Sequence, residues 1–531
     1  MAKNRVLGMV LAGALLAGAL GACAPAAPPA PPQAPAAPVT APGQGAGAVP
    51  TVDEIGLQRG IIVVTQNETP AFQPGRHGAV AGMYKNAMVH NGLLRLHHQT
   101  LEPIYDLAES WRAVSDTEFE FVIRQGVLFH NGEELTAYDF AASWEYSRLT
   151  TDSWAAKESL VSWEVVDRYT IRISTGDYPN AMIFYDLTSH VNKVQPRSLI
   201  EAGHDFNEQQ VGTGPFVFEE WRLGNSIHFR AFEEYFDRER AARAEYVVWR
   251  IVPEGASRTI AMETGEADFN VYVALPDIPR LEAHPDVEVL TMPSTEIVFM
   301  RIQTANHPFN NHYVRQAIDM AIDREALVMA GFDGHAIPWR SQMAPGFPGS
   351  TNVGIREFDP AGARAILAEQ GIDPSTLGFS LLCTNEERRR MGEVVQAQLA
   401  DIGIPVSVEM IDLATGFQLQ ADGTFEAIFG GTQPSNILSF LRVTYYFNPI
   451  RPNAGRIYNT ELNALINQAV ATIDSNARVP IVERISEVIN THIGTIPTHL
   501  PLIIRAHNAN LVVPEHAAVG HLHLNMMYWR N

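Results

Sequence analysis

The sequence predicts an α/β body larger than one ordinary domain. Short β-branched runs and amphipathic helical stretches intermix along nearly the whole chain. The 531 residues are 46% hydrophobic, enough for a large core. Beyond the N-terminus, no apolar run approaches the ~20 residues that a membrane span needs.

The first strand is predicted at Ile61-Ile62-Val63-Val64-Thr65, a continuous apolar run that ends in the polar loop Gln66-Asn67-Glu68-Thr69-Pro70. Phe119 to Arg124 alternates as a half-buried strand does, and Gly126 follows as a turn residue. Thr136-Ala137-Tyr138-Asp139 reads as a capping box that opens a helix through Trp144. Later, Asp359-Pro360 supplies a cap and a first-turn proline, Ala363, Ile366 and Leu367 form an inner face, and Gly371 stops the helix. Met391, Val394, Val395, Leu399 and Ile402 recur at helical spacing before Gly403. Pro405 then leads into the alternating strand Val406-Ser407-Val408. Leu462, Leu465, Ile466, Ala469 and Ile473, then Ile481, Ile485, Val488 and Ile489, predict two more amphipathic helices.

The N-terminus carries an address. A basic patch, Met1 to Arg5, precedes an apolar run from Val6 to Leu20, which is the pattern of a secretory signal peptide. It ends in Leu20-Gly21-Ala22-Cys23, which resembles the lipobox of bacterial lipoproteins and predicts cleavage before Cys23 and acylation of its thiol. An uncleaved span is the alternative, but the run is short for one. Ala24 to Pro50 is almost entirely Ala, Pro, Gly and Gln, and so reads as an extended tether that holds a folded body above a membrane surface.

With 38 Lys and Arg against 59 Asp and Glu, the formal charge is -21, which argues against nucleic acid as a partner. Only Cys23 and Cys383 are present, so lipidation of the first leaves no disulfide. Cys383 stands in Phe379-Ser380-Leu381-Leu382-Cys383, where a buried structural thiol is expected.

Several blocks, in order, resemble the bacterial extracellular solute-binding proteins of family 5. They are Leu107-Ala108-Glu109-Ser110-Trp111 with Arg124 to Asp139, Gly212-Thr213-Gly214-Pro215-Phe216 with Glu220-Trp221, Met262 to Asp268, and Val314 to Ile318 running to Glu325. The Asp359-Pro360 helix and Gln398 to Gly403 fit as well, and the likeness covers about Gly60 to Pro514. It implies a two-lobed periplasmic-binding-protein fold, with an extra subdomain in the first lobe and a ligand cleft between the lobes. The expected division is a signal peptide over 1–22, a tether over 23–50, lobe one over 51–291 with an inserted subdomain at about 95–205, lobe two over 292–495, and a return to lobe one over 496–531. The crossings are placed near Met292 and Ile496. The implied role is the extracytoplasmic, lipid-anchored, monomeric substrate-binding component of an ABC importer, which delivers a peptide or similar polar solute to the permease subunits without a cofactor.

Two other readings stay open: a nickel or other metal-chelate binder on the same fold, and a secreted hydrolase. Against the hydrolase, there is no Gly-x-Ser-x-Gly elbow, no His-Glu-x-x-His helix and no Cys-x-x-Cys pair. For the metal, His97-His98 and His521-x-His523 are the best local pairs. The second would share one face of a strand, but no acid or cysteine completes either set. Arg388-Arg389-Arg390 is expected on a solvated helix face. Gly212-Thr213-Gly214 lacks the Gly-Lys-Ser/Thr continuation of a phosphate loop.

Candidate cleft residues are Gln66, Asn67 and Glu68 after the first strand, Trp339 and Arg340 as a stacking plane and an anion partner, and Gly431, Thr432 and Gln433. The resemblance aligns Thr432 to Asn436 with a loop where peptide-binding relatives often carry an aspartate for the α-amine. Here that loop has no carboxylate.

Overall fold

The computed structural model describes residues 50–68, 74, 80–97, 101–150, 159–294, 296–345, 347–432, 436–448, 453, 455–514 and 522–530. Cys23, the signal segment and nearly all of the tether lie outside the described residues, as do His98, Gln433 and His521.

Twelve strands are hydrogen-bonded into one system. In chain order they are β1 (Ile61–Thr65), β2 (Phe216–Arg222), β3 (Ser226–Ala231), β4 (Tyr246–Ile251), β5 (Phe269–Asn270) and β6 (Val287–Pro293). There follow β7 (Ile297–Ile302), β8 (Ala336–Pro338), β9 (Phe379–Cys383), β10 (Val406–Met410), β11 (Ala427–Thr432) and β12 (Thr495–Asn508). They pair in the order β10-β9-β11-β7-β12-β5-β1-β4-β3-β2, and β6 and β8 also pair with β12. The apolar runs Ile61–Thr65 and Phe379–Cys383 became interior parallel strands: β1 lies between and parallel to β4 and β5, and β9 between and parallel to β10 and β11. Both faces of such strands are covered, so alternation is not required of them.

β12 joins the two ends of this system. Its first residues, Thr495 to His499, pair with β7, and Leu502 to Asn508 pair with β6. On the partner side the ladder breaks between Pro293 and Ile297 while β12 runs on. Pro293 has no amide with which to extend the ladder, and the next amide, that of Ser294, donates to the Pro501 carbonyl at 2.9 Å. Met292 and Ile496 lie just inside their strands, opposite Ile503 and Met300.

Each half buries both sheet faces. In the half containing β7, one face packs Met300, Leu381, Phe429 and Ile496 against the helices Pro360–Glu369 and Glu386–Asp401. The other packs Ile297, Phe299 and Leu500 against the helices Thr460–Ala471 and Ser475–His492. In the half containing β1, Ile61, Val63, Trp249 and Phe269 lie beneath the helix Val80–Val89. A separate antiparallel sheet, of strands Ala108–Ala113, Glu118–Ile123, Thr170–Ser174 and Ser162–Asp167, builds its own core with the helix Ala137–Thr150. The cap residues act as their chemistry suggests. The Thr136 amide and hydroxyl both donate to Asp139 Oδ2, and Asp359 Oδ1 accepts from the Gly362 amide at 2.8 Å.

Two readings need correction. The arginine triplet is not one solvated face, because successive helical residues point about 100° apart. Arg389 alone pairs outward with Glu386 and Glu393, while Arg388 Nη1 donates to Thr384 Oγ1 at 2.6 Å and Arg390 Nη2 to the Gly331 carbonyl at 2.8 Å. The His523 segment is not a strand, since Leu524–Met526 closes a 3₁₀ turn directly after it. Gly214 is a scaffold residue: its amide donates to the Val89 carbonyl at 2.8 Å, and a Cβ would overlap the Met88–Val89 backbone. Cys383 is fully buried, and burial pushes its thiol up to about 12, so it is inert.

Candidate ligand cleft

Ligands of open α/β sheets bind beyond the carboxyl ends of parallel strands. In this chain those ends are Thr65, Ile251 and Asn270 in one half and Cys383, Met410 and Thr432 in the other.

In the first half, Gln66 and Asn67 are exposed directly after β1, and Glu68 is half-buried. Glu68 Oε1 accepts from the Trp221 indole at 2.9 Å and from the Gly224 amide at 2.8 Å, which ties the loop to the β2–β3 hairpin. Beside it stands Lys85, a residue the sequence pattern does not flag because it sits inside an otherwise apolar helix. Lys85 is wholly buried, and its Nζ lies 5.2 Å from the centre of the Trp249 ring with no hydrogen-bond partner among the described residues. Desolvation lowers its pKa to about 7, opposed by the charge of Glu68. Next to it on the helix, Tyr84 Oη accepts from Arg505 Nη2 at 3.4 Å.

In the second half, neighbouring strands place Pro338, His499, Val298 and Gly431 in one row across the sheet. Trp339 extends this row, its amide donating to the Thr498 carbonyl at 3.0 Å. Its indole donates to the Met343 carbonyl at 3.0 Å, so the ring is anchored on one edge. Gly431 and Thr432 pair with Val298 and Ile297 at the start of β7. The structure therefore gathers Trp339, Gly431 and Thr432 at one end of the sheet, beside the break in the ladder. Arg340 turns toward the segment that follows, with Nη1 3.4 Å from the Arg356 carbonyl and Nε 3.7 Å from Glu357.

That break also holds Glu296, which was missed in the sequence. Its carboxylate sits over Gly431, where a Cβ would overlap it. Burial pushes its carboxyl pKa up, and the Arg388 charge partly opposes the shift. The available signal was its place between the expected crossing at Met292 and the apolar run Ile297–Ile302. His499, in the same row, is buried with no hydrogen-bond partner for its Nε2 among the described residues, and burial holds it neutral, with a pKa of about 3.

A second contact joins the halves. The Ala181 amide donates to the Val470 carbonyl at 2.8 Å. Tyr185 Oη donates to Glu102 at 2.9 Å and accepts from Arg478 Nη1 at 3.1 Å. Leu101, Ala181, Met182 and Tyr185 are buried in the same core as Ile437, Ile466 and Ile485. A groove of about 500 Å³ runs along this contact, lined by Glu102, Trp111, Phe184, Tyr185 and Arg478.

Strand ends from both halves converge on this junction, which is where ligands of such sheets bind. Residues 102–448, more than half of the chain, match the family described as bacterial extracellular solute-binding proteins, family 5 Middle. The chain belongs to this family, whose members are non-catalytic solute-binding proteins working outside the cytoplasm with ABC importers. It is 27% identical over 450 residues to heme-binding protein A of Haemophilus influenzae, covering 77% of this chain and 81% of that one. It is 24% identical over 425 residues to the glutathione-binding protein GsiB of Salmonella paratyphi A, covering 76% and 82%. Among solved structures, HbpA2 of Haemophilus parasuis superposes with a TM-score of 0.81 at 20% identity, covering 89% of this chain and all of that one. The oligopeptide-binding protein AppA of Bacillus subtilis, in complex with a nonapeptide, superposes with a TM-score of 0.71 at 21% identity, covering 90% and 100%. These likenesses establish the two-lobed fold that the sequence predicts.

Proposed function

We propose that this chain captures a short peptide or a peptide-like polar solute between its two lobes and hands it to the permease of an ABC importer. The observation that carries the reading is the junction itself. One continuous strand, β12, serves both halves, while its partner strand breaks at Ser294–Glu296 beside polar and charged groups from each half. A step in one strand against a continuous neighbour is a natural hinge, because a few residues can absorb the change in direction between the two halves. On this reading lobe one comprises 51–291 and 496–531, lobe two comprises 292–495, and the pivot falls at Ser294–Glu296 against Leu500–Leu502. Gln66, Asn67 and Glu68 face the solute from one side, and Trp339, Gly431, Thr432 and Gln433 from the other; Arg340, turned toward Arg356 and Glu357, stands outside this set. The peptide class is supported by the likeness to the glutathione-binding protein GsiB, glutathione being a tripeptide.

Native mass spectrometry of the purified protein tests the ligand class. The expected result is a bound organic solute of a few hundred daltons that is lost on unfolding. Recovery of a stoichiometric metal ion or chelate instead would overturn the peptide reading.

The same reading includes an anchor at Cys23. Cys23→Ser is expected to move the exported protein from the membrane fraction to the soluble extracytoplasmic fraction. An unchanged membrane fraction would contradict lipidation there.

A further inference from the structure

Glu296 stands where β6 gives way to β7 beside β12, and its side chain is half-buried there. Among the described residues, nothing donates a hydrogen bond to its carboxylate: only its amide is engaged, to Ser294 Oγ at 2.9 Å. Arg388 is near enough for its charge to act on Glu296 but forms no ion pair with it, and its Nη1 is committed to Thr384. Gly431 has no side chain to displace the carboxylate, which therefore rests on the backbone end of β11.

Resting on the solute-capture reading above, we propose that Glu296 is the specificity-determining residue that binds a positively charged ammonium group of the solute, so that the protein selects solutes carrying a free primary amine. A half-buried carboxylate without donors costs free energy in the empty protein and gains most from a ligand that supplies a cation with hydrogen bonds. The raised carboxyl pKa has the same origin: desolvation outweighs the help from Arg388. The other acids and bases nearby do not compete. Glu68 Oε1 is committed to Trp221 and Gly224, the segment Gln433-Pro434-Ser435-Asn436 contains no acid, and His499 is held neutral and so adds no positive charge beside the carboxylate.

Calorimetry on the purified full-length chain tests this with three probes, tri-alanine, Met-Leu and glutathione, each free and N-acetylated. The parent is expected to bind at least one free-amine probe tenfold or more tightly than its acetylated form. Glu296→Gln, which keeps the shape and removes the charge, should abolish that preference by weakening the free form alone. Glu296→Asp, which keeps the charge on a shorter arm, should retain part of it, and serves as the second variant if Glu296→Gln folds poorly. A parent that binds free and acetylated probes alike, or a preference that survives Glu296→Gln undiminished or is left at its full parental size by Glu296→Asp, would overturn the role of Glu296 while leaving solute capture intact. Failure of every probe to bind in either form would overturn both this role and the peptide-class reading beneath it.

Discussion

Arg324→Met is expected to lose about 3–5 kcal/mol of stability, the usual result of removing one member of a buried ion pair. Arg324 is 1% exposed; it pairs with Asp319, and its guanidinium also donates to the Pro497 carbonyl at 3.1 Å and the Ile322 carbonyl at 2.8 Å. It thereby ties the start of the helix Arg324–Phe332 to β12. The substitution leaves Asp319 and a strand carbonyl desolvated without their donor, which is the expensive case. The double variant Arg324→Met with Asp319→Leu should recover part of the loss, since it removes the stranded charge as well. Urea denaturation followed through lobe two reads the effect. A loss below about 1 kcal/mol for the single variant would contradict the burial and bonding described for this residue.

Arg478→Met is expected to speed release of the bound solute by roughly tenfold or more. The Arg478–Tyr185 bond is a polar contact that joins the halves away from β12, and a hydrogen bond to a charged group contributes about 1.5–3 kcal/mol. If the contact forms only when the lobes close, losing it lowers the closed population and shows as faster dissociation with little change in association. Arg478 also donates to the Thr472 and Ile473 carbonyls, so Tyr185→Phe is the cleaner companion: it removes the hydroxyl and leaves those bonds in place. Stopped-flow release from the two variants should agree in direction. Release rates equal to the parent's in both would show that the contact is present in the open form as well.

Much of the architecture was legible because local signals and long-range packing agree. The run Ile61 to Thr65 reads as a buried strand and is one, paired on both sides. The helices over 460–471 and 475–492 keep their inner residues Leu462, Ile466, Ile485 and Ile489 in the core. What sequence could not convey was which residues of different elements meet. Lys85 looks like an ordinary helical lysine until Trp249 and the sheet close over it. Glu296 looks like a loop acid until the register of β7 with β11 sets it over Gly431. The arginine triplet failed for a geometric reason, since charge counts along a chain ignore the helical rotation that sends Arg388 and Arg390 inward. The position of a residue after a strand says where its backbone lies, as for Gly431 at the end of β11, but not where a side chain such as that of Arg340 turns.

The central claim is that a solute held between two lobes shifts the protein from an open to a closed form through a hinge at Ser294–Glu296 and Leu500–Leu502. Small-angle scattering on one preparation, stripped of its solute by partial unfolding and refolding and then reloaded with the solute identified by mass spectrometry, tests it most directly. The account predicts a smaller radius of gyration and a shorter maximum dimension in the loaded sample, reversed on stripping. Superimposable scattering curves for the stripped and the saturated protein would contradict it.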